Sequence, residues 1–391
     1  MADENTFLFA VNLFVLVVCG VFFLLMPRLT RKSYLFGVII PAEYADCREA
    51  RAMKRRYAVT CVVGVLVLMN VCSLQFTLLR DLTLLATLYL PLLLIPVGLA
   101  AFIPNRKSAL RLKRERGWHI SGDLPGFADS AHSRGNVLEL PWLWYVASFA
   151  LVVAGFALIA ARYGELPDMV AGHLGSNFKP TYFVEKTWVN VLMMPLVGAG
   201  TLALLIMTAV FIQRAKLQID PGAVGLSFAQ HRVYRRRLGH ALGFLTLAII
   251  MFIILTTFVF AFPDSELWGP NIFWIGNVVM FAAIALFIIV YVKTGQGGCK
   301  VKISPEQEAE FNAAGNRIGA DVKAESKADD DSHWLLGMFY CNRDDKACIV
   351  ENRFGTNLGF NYARLPVKIG LAFLLVGIVA IYAWATMEFL R

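Results

Sequence analysis

The sequence predicts an all-α polytopic membrane protein of about eight transmembrane helices, with a small cytoplasmic α+β domain before the last helix. Three observations carry that prediction. The 391 residues are 58% hydrophobic and only 17% charged, with a mean hydropathy of +0.59; soluble domains are about half apolar and a quarter charged. The apolar excess falls in blocks of about 20 residues, the length of helix that crosses roughly 30 Å of hydrocarbon. The positive charges collect between alternate blocks.

The blocks are 6–26, 57–79, 82–103, 141–161, 187–212, 238–262, 271–292 and 366–387. Only "LRDL" separates the second from the third. The leader "MADEN" is acidic and the first cations, Arg28, Arg31 and Lys32, follow the block, so the first block is expected to be a span rather than a cleaved signal peptide. Segments 27–56, 104–140, 213–237 and 293–368 hold 32 of the 37 Lys and Arg residues. Positive charge stays in the cytoplasm during insertion. Both termini are therefore expected on the external side of the membrane. The basic pI of 9.2 then reflects orientation and anionic headgroups, not nucleic acid.

Four regions follow: 1–140, three spans with basic cytoplasmic loops; 141–295, four spans with an external loop at 163–186; 296–364, the small domain; and 365–391, the last span. In the first region, "LFGVIIP" (35–41) reads as an extended or turning segment and the chain as helical from Glu43. "RKSALRLKRERGW" (106–118) reads as a helix on the headgroups, its arginine stems snorkelling. In the small domain, "SPEQEAEF" begins an acidic helix. The runs "WLLGMFY", "CIVENRF" and "LGFNYARL" form a β-meander whose first two members are joined by "NRDDKA". None of the seven cysteines falls in an external loop, so no structural disulfide is expected.

No Asp, Glu, Lys or Arg occupies the middle of a predicted span; Asp81, His240, Lys368 and Glu388 sit near ends. Ion-coupled transport places titratable groups at depth, and the motifs of membrane hydrolases and phosphate loops are absent. No cofactor and no catalytic residue is expected. The chain is read as a non-enzyme.

The external stretch "LPDMVAGHLGSNFKPTYFVEK" is the most specific polar feature. His173 is the single external histidine, with Glu165 and Asp168 just before it, and the three are weak candidates for a metal. The preferred reading is structural: His173 and Lys186 bond the loop over the ends of two spans, Pro167 and Pro180 stiffen its legs, and Tyr182, Phe183 and Trp188 anchor it.

Leu166, Pro167, Asp168, His173, Pro180 and Lys186 follow a pattern that resembles an external loop domain of unknown function found in SdpI-related bacterial membrane proteins. Leu174, Gly175, Phe178 and Thr181 depart from it. Residues 330–364 resemble a second short domain that accompanies the first, through Trp334, Gly337, Tyr340, Asn342, Asp345, Arg353 and Asn361. The resemblance implies immunity or envelope-stress signalling, with a peptide or lipid recognised at Pro167, Asp168, His173, Pro180 and Lys186 and a soluble regulator at the cytoplasmic domain. The SdpI-type immunity domain itself is not found. Two rival readings remain. One is a transporter or lipid-handling protein without ion coupling, with a groove lined by Asn70, Asn190 or Asn277. The other is an external metal-dependent enzyme using His173, Glu165 and Asp168, completed by Asp264 and Glu266.

Overall fold

The computed structural model describes residues 4–118, 123–124, 140–174, 180–218, 224–261, 265–306, 309, 326–327, 331–354 and 358–390. It is mostly helical. Among the described residues, eight helices are long and apolar enough to cross a membrane: Asn5–Leu29, Arg48–Leu78, Arg80–Glu115, Trp142–Glu165, Trp188–Arg214, Leu226–Thr257, Gly269–Gly298 and Leu365–Ala383. The multi-pass architecture expected from the apolar blocks is the one observed.

In chain order the long helices are α1 (Glu4–Leu29), α2 (Arg48–Leu78), α4 (Leu94–Glu115), α5 (Trp142–Arg162), α6 (Trp188–Arg214), α7 (Val224–Ala261), α8 (Ser265–Thr294) and α9 (Leu365–Leu390). The short α3 (Thr83–Tyr89) joins α4 through a 3-10 turn at Leu90–Leu93 that contains Pro91, and the two make one span. "LRDL" is a true break. Leu79 leaves helical geometry at φ −135°, and the Gln75 side-chain amide donates to its carbonyl at 2.7 Å.

The chain forms two compact units, each assembled from separate stretches: 1–135 with 215–231 and 295–391, and 136–214 with 232–294. In the first unit, Phe36, Val38 and Ile40 pack with Tyr57, Phe102, Ala109 and Phe354. The ring of Phe36 lies 5.5–6.0 Å from those of Tyr57, Phe102 and Phe354. In the second, Tyr145, Val152, Leu202, Leu242, Ile250 and Ile254 form the core of α5, α6 and α7. Gly155 and Gly198 let Ile254 close in; Gly200 faces no neighbour within 4 Å.

Every described strand pair is antiparallel and two-stranded. β1 (Tyr34–Leu35) pairs β2 (Val38–Ile39) around Phe36 and Gly37, both at positive φ (50° and 72°). That is the two-residue turn whose twist suits a hairpin. β3 (Asp123–Leu124) pairs β6 (Ser326–Lys327), and β4 (Met169–Leu174) pairs β5 (Pro180–Glu185). β7 (Trp334–Leu335) pairs β8 (Phe339–Tyr340), while β9 (Ile349–Val350) pairs β10 (Gly359–Phe360).

Two expectations need correction. The run 106–118 is not a separate surface helix: α4 continues unbroken to Glu115, and Arg106 and Lys113 are buried. Nothing between Asn105 and Glu115 breaks a helix, and Asp331 receives the Lys113 ammonium at 2.7 Å. The three runs of the small domain each contribute strands but not a meander. "NRDDKA" leads from β8 to β9, which do not pair; β8 meets β10 instead, at the Tyr340–Asn361 bridge. The acidic helix and the linker after it lie largely outside the described residues, as does most of the loop 121–136.

Candidate functional site

Two places gather the residues singled out by sequence. The first is the β4–β5 hairpin between α5 and α6. Its register runs from Met169 opposite Glu185 to Leu174 opposite Pro180, with shifts on either side of His173. Gly172 stands at this irregularity, and a Cβ there would strike the ring of Tyr182. A glycine is what lets the aromatic ring approach the strand backbone this closely.

Lys186 latches the hairpin to its base. Its Nζ donates to the Leu166 carbonyl at 2.7 Å, stands 3.7 Å from Asp168 Oδ1 and lies 5.6 Å over the ring of Tyr163. Tyr163 stacks on Trp188 at 3.8 Å, and its hydroxyl donates to the Lys186 carbonyl at 3.2 Å. The backbones of Lys186 and Asp168 are also joined at 2.8 Å. Leu166, Asp168 and Lys186 thus come together at the hairpin's foot, with Pro167 exposed between the first two. His173 and Pro180 lie in the strands; their side chains are outside the described residues. Glu165 is exposed and paired with Arg162 at 2.6 Å. Asp264 and the side chain of Glu266 are also outside the described residues. Among the described residues, no group of three or more His, Cys, Asp or Glu side chains converges to hold a metal ion.

Beneath the hairpin is a cavity of about 110 Å³, walled by Val170, Gly172, Tyr182, Val184 and, from α6, Val191, Met193 and Met194. Asn190 also lines it and donates to the Glu185 carbonyl at 2.9 Å. Asn70 and Asn277 donate to carbonyls of their own helices, Leu66 and Phe273. Tyr182, Phe183 and Met169 present 56%, 57% and 48% of their surface outward.

The second place is polar and buried, and all seven motif residues of the small domain belong to it. Asp345 accepts from Tyr340 Oη and Lys216 Nζ, both at 2.7 Å. Asn342 Nδ2 donates to that Tyr340 oxygen at 3.3 Å. Asn361, fully buried, donates to the carbonyls of Asn342, Asp345 and Ala347 and accepts from the Asn342 and Ala363 N–H groups. Arg353 is stacked against Trp334 (4.8 Å) and Tyr34 (5.5 Å) and donates to Asp331 at 2.7 Å. Gly337, at φ 78°, lies against the guanidinium of Arg106, which donates to the Trp334 carbonyl at 2.9 Å. Tyr340, Asn342, Asp345 and Asn361 hydrogen-bond one another and nearby backbone groups, Arg353 pairs with Asp331 over the Trp334 ring, and Gly337 makes room for Arg106, so packing within the domain involves every position of the pattern. Burial alone would raise the Asp345 carboxyl. Lys216, the Ala347 N–H and the Tyr340 hydroxyl outweigh it and hold the group below the ordinary carboxylate range.

Sequence reasoning missed the neighbouring group of Arg31, Ser227, His231 and Glu351. His231 Nε2 and Glu351 Oε2 are 2.6 Å apart, both residues buried. Arg31 reaches Ser227 Oγ (3.2 Å), His231 Nδ1 (3.0 Å) and the Gly297 carbonyl (2.7 Å). The Gln218 N–H donates to Glu351 at 2.8 Å. Burial opposes ionisation of Glu351, but His231, Arg31 and the Gln218 N–H prevail and keep its carboxyl low. The one signal in the sequence was Arg31, a cation that directly follows the first span. Its partners are 196 to 266 residues away.

Residues 150–199 match the family model described as "Domain of unknown function (DUF1648)". The matched stretch runs from α5 through the hairpin and its cavity into α6. No curated protein and no solved structure matches the chain.

Proposed function

We propose that this chain is a non-enzymatic bacterial membrane protein of the immunity or envelope-stress signalling kind, which takes up the side chain of a membrane-active peptide or a lipid tail at the β4–β5 hairpin. The observation that carries the reading is the cavity under that hairpin. Its lining is mostly aliphatic and methionine, with Tyr182, Asn190 and Thr257 among them, and the methionines let it adapt to varied apolar partners. Tyr182, Phe183 and Met169 form an exposed apolar rim at its edge, and exposed aromatics of this kind suit a membrane interface. The hairpin lies within the stretch matched by the family model, and its L-P-D…H…P…K pattern resembles that of SdpI-related proteins. The distribution of Lys and Arg supports a hairpin outside a bacterial cytoplasmic membrane, and in this reading the Trp334–Asn361 element meets a soluble regulator inside.

The test is protection of cells at matched membrane levels of protein. Cells carrying the wild type, His173→Ala, the double variant Tyr182→Ala/Phe183→Ala, or no protein would be challenged with a panel of membrane-active peptides. Survival with the wild type and loss with the double variant supports recognition at the hairpin. Equal killing in all four strains removes the immunity reading for those peptides.

A further inference from the structure

A groove elsewhere in the same unit has the chemistry of a lipid site. It has a volume of about 700 Å³, within the range of small-molecule sites. It is lined by Trp144 of α5, by one face of α7 and by Leu286 and Val290 of α8. The α7 contribution is Val233, Arg236, Arg237, His240, Ala241 and Phe244. Spacings of three and four residues place these on a single helical face.

The lining is divided by chemistry. Arg236, Arg237 and His240 are exposed and stand where α7 passes from its basic turns to its apolar length. Ala241, Phe244, Leu286 and Val290 continue the groove as hydrocarbon. No carboxylate is among the described residues that line it. Trp144 is held between the two parts. The indole N–H donates to His240 Nδ1 at 3.3 Å, and Gly243 leaves room for the ring, since a Cβ there would come 2.6 Å from Trp144 Cδ1. Because His240 accepts at Nδ1, its Nε2 carries the proton and is a donor.

We infer that this groove binds an anionic glycerophospholipid. The phosphate is received by Arg236 and Arg237, whose planar guanidinium groups suit phosphate oxygens. His240 Nε2–H is a further donor, the indole of Trp144 sits at headgroup level, and an acyl chain runs along Phe244, Leu286 and Val290. Two cations with no acid among the described residues of the lining, at the mouth of a groove with an apolar floor, distinguish an anionic lipid from a neutral one.

The test uses the full chain in neutral detergent, with phosphatidylglycerol, phosphatidylcholine and inorganic phosphate as probes and native mass spectrometry as readout. Phosphatidylglycerol is expected to bind at least tenfold more tightly than phosphatidylcholine. Arg236→Gln/Arg237→Gln is expected to abolish that preference, whereas Arg111→Gln/Arg114→Gln, which removes the same charge elsewhere, leaves it intact. Phosphatidylglycerol with brominated acyl chains should quench the fluorescence of the wild type more than that of Trp144→Phe, which locates the lipid without relying on the arginine variants. Equal binding of both lipids, or equal loss in the two double variants, overturns the inference. Displacement of the lipid by millimolar inorganic phosphate overturns the lipid assignment in favour of a soluble phosphate.

Discussion

Gly37 and Gly337 meet at the tips of two hairpins: a Cβ on Gly37 would come 2.6 Å from the Gly337 carbonyl oxygen. Their flanking sequences, "YLFGVI" and "WLLGMF", are alike, and in each the residue before the glycine is also at positive φ. Arg106 lies against both glycines. Residues 300 positions apart in the chain thus form one turn-on-turn contact, covered by a guanidinium from α4.

Alanine at either glycine faces a left-handed backbone and an occupied space. Gly37→Ala and Gly337→Ala should each destabilise the protein by roughly 2 kcal/mol or more, from the strained φ plus displaced neighbours. Thermal unfolding in detergent checks this, with Gly117→Ala as a reference. Gly117 also has positive φ but no neighbour within 4 Å, so it isolates the backbone cost.

Asp345 and Lys216 should be coupled. Asp345 is almost fully buried and Lys216 mostly so. Asp345→Asn leaves a buried ammonium without its counter-charge, and removing one partner of such a pair costs about 3–5 kcal/mol. In Lys216→Met the same substitution should cost about 1–3 kcal/mol less. Additive losses in the double-mutant cycle would show that the pair contributes nothing beyond its separate hydrogen bonds.

Glu351 makes stability pH-dependent in a definite direction. Its folded carboxyl is held below the ordinary value of 4.5. A depressed carboxylate contributes stability that is present above the unfolded value and lost as pH falls through the folded one. The wild type should therefore weaken below about pH 4.5, and Glu351→Gln should be less stable at neutral pH with a shallower acid limb. Parallel profiles for the two proteins between pH 3 and pH 7 would contradict this.

Lys186→Met should loosen the hairpin without unfolding the helices. It removes a charged donor from the Leu166 carbonyl, a bond of about 1.5–3 kcal/mol, while the apolar stem still packs near Tyr163. Amide hydrogen exchange should quicken across 166–174 and 180–186 and stay unchanged in α7. Quickening throughout α5 and α6 would show that Lys186 supports the bundle itself.

Much of the architecture was legible because hydropathy is a local property. Every apolar block reappears as a span, and the weak "LRDL" break is real because Gln75 caps the helix before it. The foot of the hairpin was legible in part: Lys186 was expected to hydrogen-bond the loop, and its partner is the Leu166 carbonyl. Its strands were not, because a polar stretch with glycine and two prolines has the composition of a loop, and only pairing across the turn turns it into a sheet. The basic end of α4 was misread for a related reason. Cations beside an apolar helix suggest headgroups until Asp331, over 200 residues later, is seen to receive one of them.

The sequence by itself determined the number of spans, the extent of each apolar block and the polar stretches between them, because each follows from the free energy of placing contiguous residues in hydrocarbon. The tertiary structure decided which polar groups survive burial. Arg31, His231 and Glu351, or Arg106 and two distant glycines, become partners only after helices pack and loops close around them. Their stability depends on distance and dielectric, quantities that have no expression along a single chain.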